Sequence, residues 1–373
     1  MSSSTWPKRF YSLDAMRGIA AIIIVLSHWV HFVFIGEKKV IPFDKTTFPL
    51  YDILKPFYLT GTLGVNFFFL LSGFVFFWLY QKQISERNID FKTFSIKRIA
   101  RLYPLHLATL LLVVVLQLIY SQQYGFYFVY SHFDGYHFVL NLLFIQKWGL
   151  DNGFSFNGPA WAISVLVFLY LLFFILAYWR KATFLICLLI SMIAAILLVA
   201  DSSEYLNRYL LRGISGFFFG GCIFYVAVYL SPHAEKIRLG FYAATLILWG
   251  ATLFSFYGAD LTVYIKQLGF IGKLFLEGYV HYLLFPISLL SLIFLEMQRG
   301  ILLKKMAWLG DISYSLFLLH FPLQLMVAIL VGYGILDKTL FLNVGFFIGF
   351  FAVLIALSYL TYVKFERPMQ SYL

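Results

Sequence analysis

Charge is scarce in this chain. Only 12% of its 373 residues are Asp, Glu, Lys or Arg, roughly half the share of a soluble globular domain. Acidic residues are the scarcer kind, 17 against 28 basic ones, for a formal charge of +11. Nucleic acid is not the partner this excess suggests, because the basic residues are spread over short loops and their sidedness reads as membrane topology. Cysteine is almost missing. Cys187 and Cys222 lie in apolar runs without metal-ligand spacing, so they read as packing residues and say nothing about redox compartment. The chain has no HExxH, CxxC, Walker loop or GxGxxG, which removes the common metal and soluble nucleotide-fold readings. GISGF at 213–217 lacks the closing Gly of a nucleophile elbow and has no alternating α/β context. No metal is expected.

Apolar sequence fills the rest. Hydrophobic residues reach 62%, aromatics 21%, and the mean hydropathy is +0.85. Continuous apolar runs of about 20 residues are membrane helices on length alone, and their lack of alternation excludes a barrel. The abundant phenylalanine is read as lipid-facing bulk and interfacial belts. Ten spans are expected, at about 12–35, 58–80, 102–121, 155–179, 183–200, 209–230, 240–257, 279–297, 309–333 and 340–363. With the N-terminus inside, the inner segments hold 17 Lys and Arg and the outer ones nine, including Lys147, Lys266 and Lys338. The fold class expected is therefore an all-α membrane protein with both termini cytoplasmic. Residues 1–373 read as one integral-membrane domain with no attached soluble domain. Lys8 and Arg9 precede an apolar run too long, and too polar at Arg17 and His28, for a signal peptide. The stretch 122–154 is too short in apolar length to span and is expected to hold an interfacial or re-entrant helix.

The first span, YSLDAMRGIAAIIIVLSHWVHFV, carries Asp14, Arg17, His28 and His31. Each ionisable group costs roughly 2.5–3.5 kcal/mol on insertion, so such groups face a protein interior or a water-filled cavity. Asp14 and Arg17 can pair at i, i+3. Arg17 and His28, about three turns apart, fall on nearly one face. The helix is read as holding a charge at one surface and a titratable base deeper in.

Further motifs each have a plain structural explanation beside the functional one. GVNFFFLLSGF includes Ser72 and Gly73, small residues that let helices approach, as do the pairs Gly216/Gly220 and Gly345/Gly349. KRIARLYP clusters Lys97, Arg98 and Arg101 just before Tyr103, at the end of an inner loop. Such a cluster serves inner-leaflet headgroups or the phosphates of a nucleotide-bearing ligand. Trp161 and Ser164 lie in GPAWAISV, and GDISYSLFLLHFP contributes His320, more often a hydrogen-bonded structural group than a catalyst; His106 and His281 read the same way.

Taken together and in this order, these motifs resemble the acyltransferase-3 family over nearly the whole chain. SLDAMRGIAAIIIVLSHW resembles its opening signature, with GVNFFFLLSGF, KRIARLYP, GPAWAISV, GDISYSLFLLHFP and FERP after it. The resemblance implies a ten-span core and a cytoplasmic acyl-CoA donor, most often acetyl-CoA. It implies transfer to a hydroxyl of a glycan, either a surface or exported polysaccharide or a lipid-linked sugar, across a bacterial inner membrane. It also implies His28 as general base with Arg17 and Asp14 beside it in the catalytic set. Lys97, Arg98, Arg101, Ser72 and Tyr103 would meet the donor, and Trp161, Ser164 and His320 the acceptor. His suits the base role because its ordinary pKa lies near working pH. The chain departs from the family at Leu166, where Glu is usual, and at Ala162, where Ser is common. That departure leaves open a non-catalytic member, and the intramembrane His and Arg leave open a transporter or flippase. Self-association into a homo-oligomer also stays open.

Overall fold

A computed structural model describes residues 6–39, 44–200, 206–258, 265 and 267–372. Lys266, counted above with the outer segments, lies outside them. The described residues are helical almost throughout, and their named strands are the two short ones of the hairpin Phe34–Ile35 and Lys38–Lys39. Among the described residues, eight helices are long and apolar enough to cross a membrane: Tyr11–Val33, Leu63–Ser85, Phe91–Tyr124, Gly158–Tyr178, Arg208–Tyr257, Leu274–Arg299, Ser313–Gly332 and Val344–Gln370. The all-α membrane class is thus what the chain adopts.

Two of the expected spans follow each other in one helical run. Those at 209–230 and 240–257 form one 50-residue helical run, Arg208–Tyr257. A straight helix of that length would reach about 75 Å, more than twice a hydrocarbon core of about 30 Å. A 3-10 turn at Ser231–His233, with Pro232 near its start, separates the run into Arg208–Leu230 and Ala234–Tyr257. The expected span at 183–200 is the shorter helix Phe184–Ala200, 17 residues long.

Contacts divide the chain into two compact units. The first comprises residues 1–20, 63–88 and 169–311. Much of its phenylalanine is internal, contrary to the lipid-facing expectation: Phe69, Phe74, Phe173, Phe217 and Phe218 are all 0% exposed. Between helices, lipid offers no hydrophobic gain, so close ring packing supplies the attraction. Glycine makes the approach possible. A Cβ on Gly73 would stand 1.9 Å from the Phe217 carbonyl oxygen, and one on Gly220 2.0 Å from that of Leu70. Gly345 and Gly349, of the other unit, share the spacing but not the purpose, since nothing lies within 4 Å of a Cβ on Gly349.

The second unit comprises residues 21–62, 89–168 and 312–373. Its longest element is the 34-residue helix Phe91–Tyr124. Asp90 caps it by accepting the Thr93 N–H at 2.8 Å, and Gly125, at φ +78°, ends it. This start corrects the sequence reading: Lys97, Arg98 and Arg101 sit on the helix itself, not at the end of a loop. Leu110 and Val113 of that helix join Phe321 and Leu325 in the unit's core. The stretch 122–154 does contain a short helix, Gly135–Leu142, capped by Asp134. After it, Lys147 and Asp151 form an ion pair with both side chains buried. Burial pushes the Lys147 ammonium below its ordinary value, against the pull of Asp151.

Candidate active site

The α-helix that begins at Tyr11 ends at Ser27, and the chain continues as a 3-10 helix from His28 to Val33. Ser27 Oγ donates back to the Ile24 carbonyl at 2.7 Å, a bond that competes with the helical ladder. The change of helix type matters for H-x-x-H. In a 3-10 helix, side chains at i and i+3 eclipse, and the rings of His28 and His31 stack with centroids 4.8 Å apart and planes 22° apart. An α-helical wheel does not show this overlap.

A third imidazole arrives from the Ser313–Gly332 helix. His320 Nε2 lies 3.0 Å from His28 Nδ1, and the two ring planes are within 6°. Partners fix the protons. His320 Nδ1 faces the Phe317 carbonyl at 2.8 Å, and a carbonyl only accepts, so Nδ1 carries the hydrogen. His320 Nε2 is then an acceptor in the neutral ring, and His28 Nδ1 donates to it. What remains on His28 is a lone pair at Nε2 that takes no hydrogen bond from the described residues. His320 is 0% exposed and His31 4% exposed, whereas His28 is only half-buried. Of the three histidines, His28 alone is a partly exposed residue.

Gln324 braces the pair from one helical turn beyond His320. Its Nε2 donates to the His28 carbonyl at 2.9 Å, which leaves Oε1 to accept from His31 Nδ1, also at 2.9 Å. His31 Nε2 then accepts the Tyr130 hydroxyl at 3.3 Å. This arrangement can take a proton from a ligand at one place, His28 Nε2, and hold the rest of the cluster still while it does so.

Asp14 and Arg17 belong to the other unit, where they pair at 3.2 Å. Arg9 bridges Asp14, at 2.5 Å, and Asp311, at 2.9 Å. Arg17 also donates to the Gly310 carbonyl from Nε and Nη2, at 3.2 and 2.8 Å. Backbones touch closely here, since a Cβ on Gly310 would meet the Asp14 carbonyl oxygen at 2.2 Å. Ser72 lies in this unit as well.

Lys97, Arg98, Arg101 and Tyr103 share the first four turns of the Phe91–Tyr124 helix. Lys97 and Arg101 fall on one face at i, i+4, as do Arg98 and Arg101 at i, i+3. Trp161 opens its helix half-buried. Ser164 is different: it is 0% exposed, donates to the Phe144 carbonyl at 2.7 Å and accepts the Lys147 N–H at 3.2 Å. That fixes a loop to a helix. His320 is 0% exposed, and its Nε2 faces His28 Nδ1. Leu166, 4% exposed, is packed in the unit's interior. His106 bonds to the Asn141 carbonyl at 2.8 Å. Gln324 and Tyr130 were not singled out from the sequence. The signal for Gln324 was a polar residue four positions after His320 in an apolar helix; Tyr130, 99 positions from His31, gave none.

Comparison with known proteins identifies the family. The acyltransferase domain that defines the acyltransferase-3 family matches residues 10–363. Acyltransferase MdmB of Streptomyces mycarofaciens is 32% identical over 170 residues, 44% of this chain and 38% of that protein. Protein 2 in the picA locus of Rhizobium radiobacter is 34% identical over 111 residues, 30% of this chain and 47% of that protein. The match thus spans less than half the length of either relative. No solved structure matches. With nearly its full length inside the family's domain, the chain belongs to the acyltransferase-3 family of membrane acyltransferases.

Proposed function

We propose that the protein transfers an acyl group, acetyl above others, from cytoplasmic acyl-CoA to a hydroxyl of a surface or exported polysaccharide or a lipid-linked sugar, in a bacterial inner membrane with both termini cytoplasmic. The observation that supports the chemistry is that His28, a partly exposed residue, is held through its Nδ1 by His320 at 3.0 Å, which leaves Nε2 for a ligand. His28 Nε2 takes the proton of the acceptor hydroxyl as that oxygen attacks the thioester carbonyl carbon. The new C–O bond forms, the C–S bond breaks, and the departing CoA thiolate recovers the proton from His28. His320 keeps the loaded ring oriented by accepting from Nδ1 throughout. No covalent acyl-enzyme is needed. Lys97, Arg98 and Arg101 are suited to the donor's phosphates, because guanidinium and ammonium groups on one or two turns can grip several oxygens. Arg17 stays protonated and cannot be the base; with Asp14 it fixes the first helix against Gly310.

The test is expression of wild type and His28→Ala in a host without a native copy, with mass spectrometry of surface glycans and lipid-linked sugars. A gain of one acetyl group with wild type, lost with His28→Ala at equal membrane abundance, is expected. Equal acetylation by both would overturn the assignment of His28.

A further inference from the structure

Pro322 lies inside the Ser313–Gly332 helix, two residues after His320. It has no N–H, so the carbonyl four residues earlier, that of Leu318, has no donor in the helical ladder. Leu318 is 0% exposed, and a buried carbonyl left unpaired is costly. Asn157 supplies the missing donor: its Nδ2 reaches the Leu318 oxygen at 3.0 Å across 161 positions. The amide cannot be turned over, because its oxygen would then face another oxygen. Asn157 is itself 1% exposed, and its Oδ1 has no hydrogen-bond partner among the described residues. Among the described residues, the bond to Leu318 is the one its side chain makes.

That bond ends beside the base. Within one turn, the Phe317 carbonyl accepts His320 Nδ1 and the next carbonyl, of Leu318, accepts Asn157. The following residue, Gly158, is pressed against Tyr130, since a Cβ there would stand 2.3 Å from the Tyr130 ring. Tyr130 in turn donates to His31. One short segment thus reaches both histidines that flank His28.

We propose that Asn157 is a positioning residue for His28, taking the carbonyl that Pro322 leaves unpaired and so holding the turn through which His320 dictates the tautomer of His28. The proposal rests on His28 being the base, and its first test needs no substrate. Histidine carrying 13C and 15N is incorporated, and the His28 signal is identified by its loss in His28→Gln. Wild type should give a single His28 tautomer, protonated at Nδ1. Asn157→Ala should give a mixture, and Asn157→Ala with Pro322→Ala should return to the single form, because the restored backbone N–H pairs with Leu318. In turnover, Asn157→Ala should lower kcat about tenfold or more, a part of the ~10²–10⁴-fold that a general base supplies. The donor KM should be unchanged, and the double variant should recover. An unchanged tautomer in Asn157→Ala, or no recovery in the double variant, would overturn the proposal. Should Asn157→Ala fail to fold, the double variant decides alone: it folds with the wild-type tautomer or the proposal falls. If the tautomers behave as stated but His28→Ala keeps full activity, the base assignment fails while the positioning role of Asn157 stands.

Discussion

Glu296 caps the helix that starts at Tyr11. Its carboxylate accepts the N–H of Tyr11 at 2.7 Å and the N–H and hydroxyl of Ser12 at 2.9 and 2.5 Å, from 284 positions away in the case of Ser12. Helix N-termini carry unpaired N–H groups and partial positive charge, and Glu296, 0% exposed, answers both. Glu296→Ala should therefore leave buried donors unmatched and cost about 1–3 kcal/mol. Thermal unfolding in detergent checks this, with Glu296→Gln expected to lose less because its amide oxygen still accepts.

Gln324 and Tyr130 should separate cleanly. Gln324→Leu removes two 2.9 Å bonds at once, one to the His28 carbonyl and one to His31. Tyr130→Phe removes the longer 3.3 Å bond to His31. The first should lower acyl transfer by about tenfold or more and the second by about threefold or less, following the about 0.5–1.5 kcal/mol of an ordinary hydrogen bond. Initial rates at saturating donor measure both.

Leu166→Glu should not improve the enzyme. The position is 4% exposed in an apolar helix, so the new carboxylate would be desolvated without a placed partner, at a cost of several kcal/mol. Reduced folded yield in membranes is expected. A stable variant with raised activity would show that the site has room for the carboxylate usual in the family.

Two alanines at glycine pairs of equal spacing should part company. Gly220→Ala thrusts a methyl to within 2.0 Å of the Leu70 carbonyl oxygen and should destabilise by about 1–3 kcal/mol. Gly349→Ala, with nothing within 4 Å, should be neutral or slightly stabilising, because alanine is the better helix former. Melting temperatures of the two variants in the same detergent compare them directly.

Much of this was legible from the residues. Long apolar runs fix helices through backbone hydrogen bonding, and the Asp14–Arg17 pair follows from i, i+3 spacing. The start of the Phe91–Tyr124 helix was not, because its first turns are polar and exposed and resemble a loop until Asp90 is seen as a cap. The His28–His31 stack was hidden because spacing alone does not tell an α-helix from a 3-10 turn. The role of His320 was hidden because a 292-position contact leaves no local periodicity. Ser164 looked available for a ligand because the motif gives a hydroxyl, whereas its backbone partners come from a loop about 20 residues earlier.

The pairing of His28 with His320 has an electrical consequence. Among the described residues neither ring is held by a carboxylate; their partners are an imidazole and a backbone carbonyl. A base backed by Asp would keep a fixed negative charge inside the span at all times, and each such charge feels about 2.3 kcal/mol per 100 mV across the full membrane. Here the resting pair is uncharged and does no work against the membrane potential. On the role proposed for His28, the site carries charge only while that ring holds a proton, so the transmembrane field acts on the loaded ring and not on the waiting one.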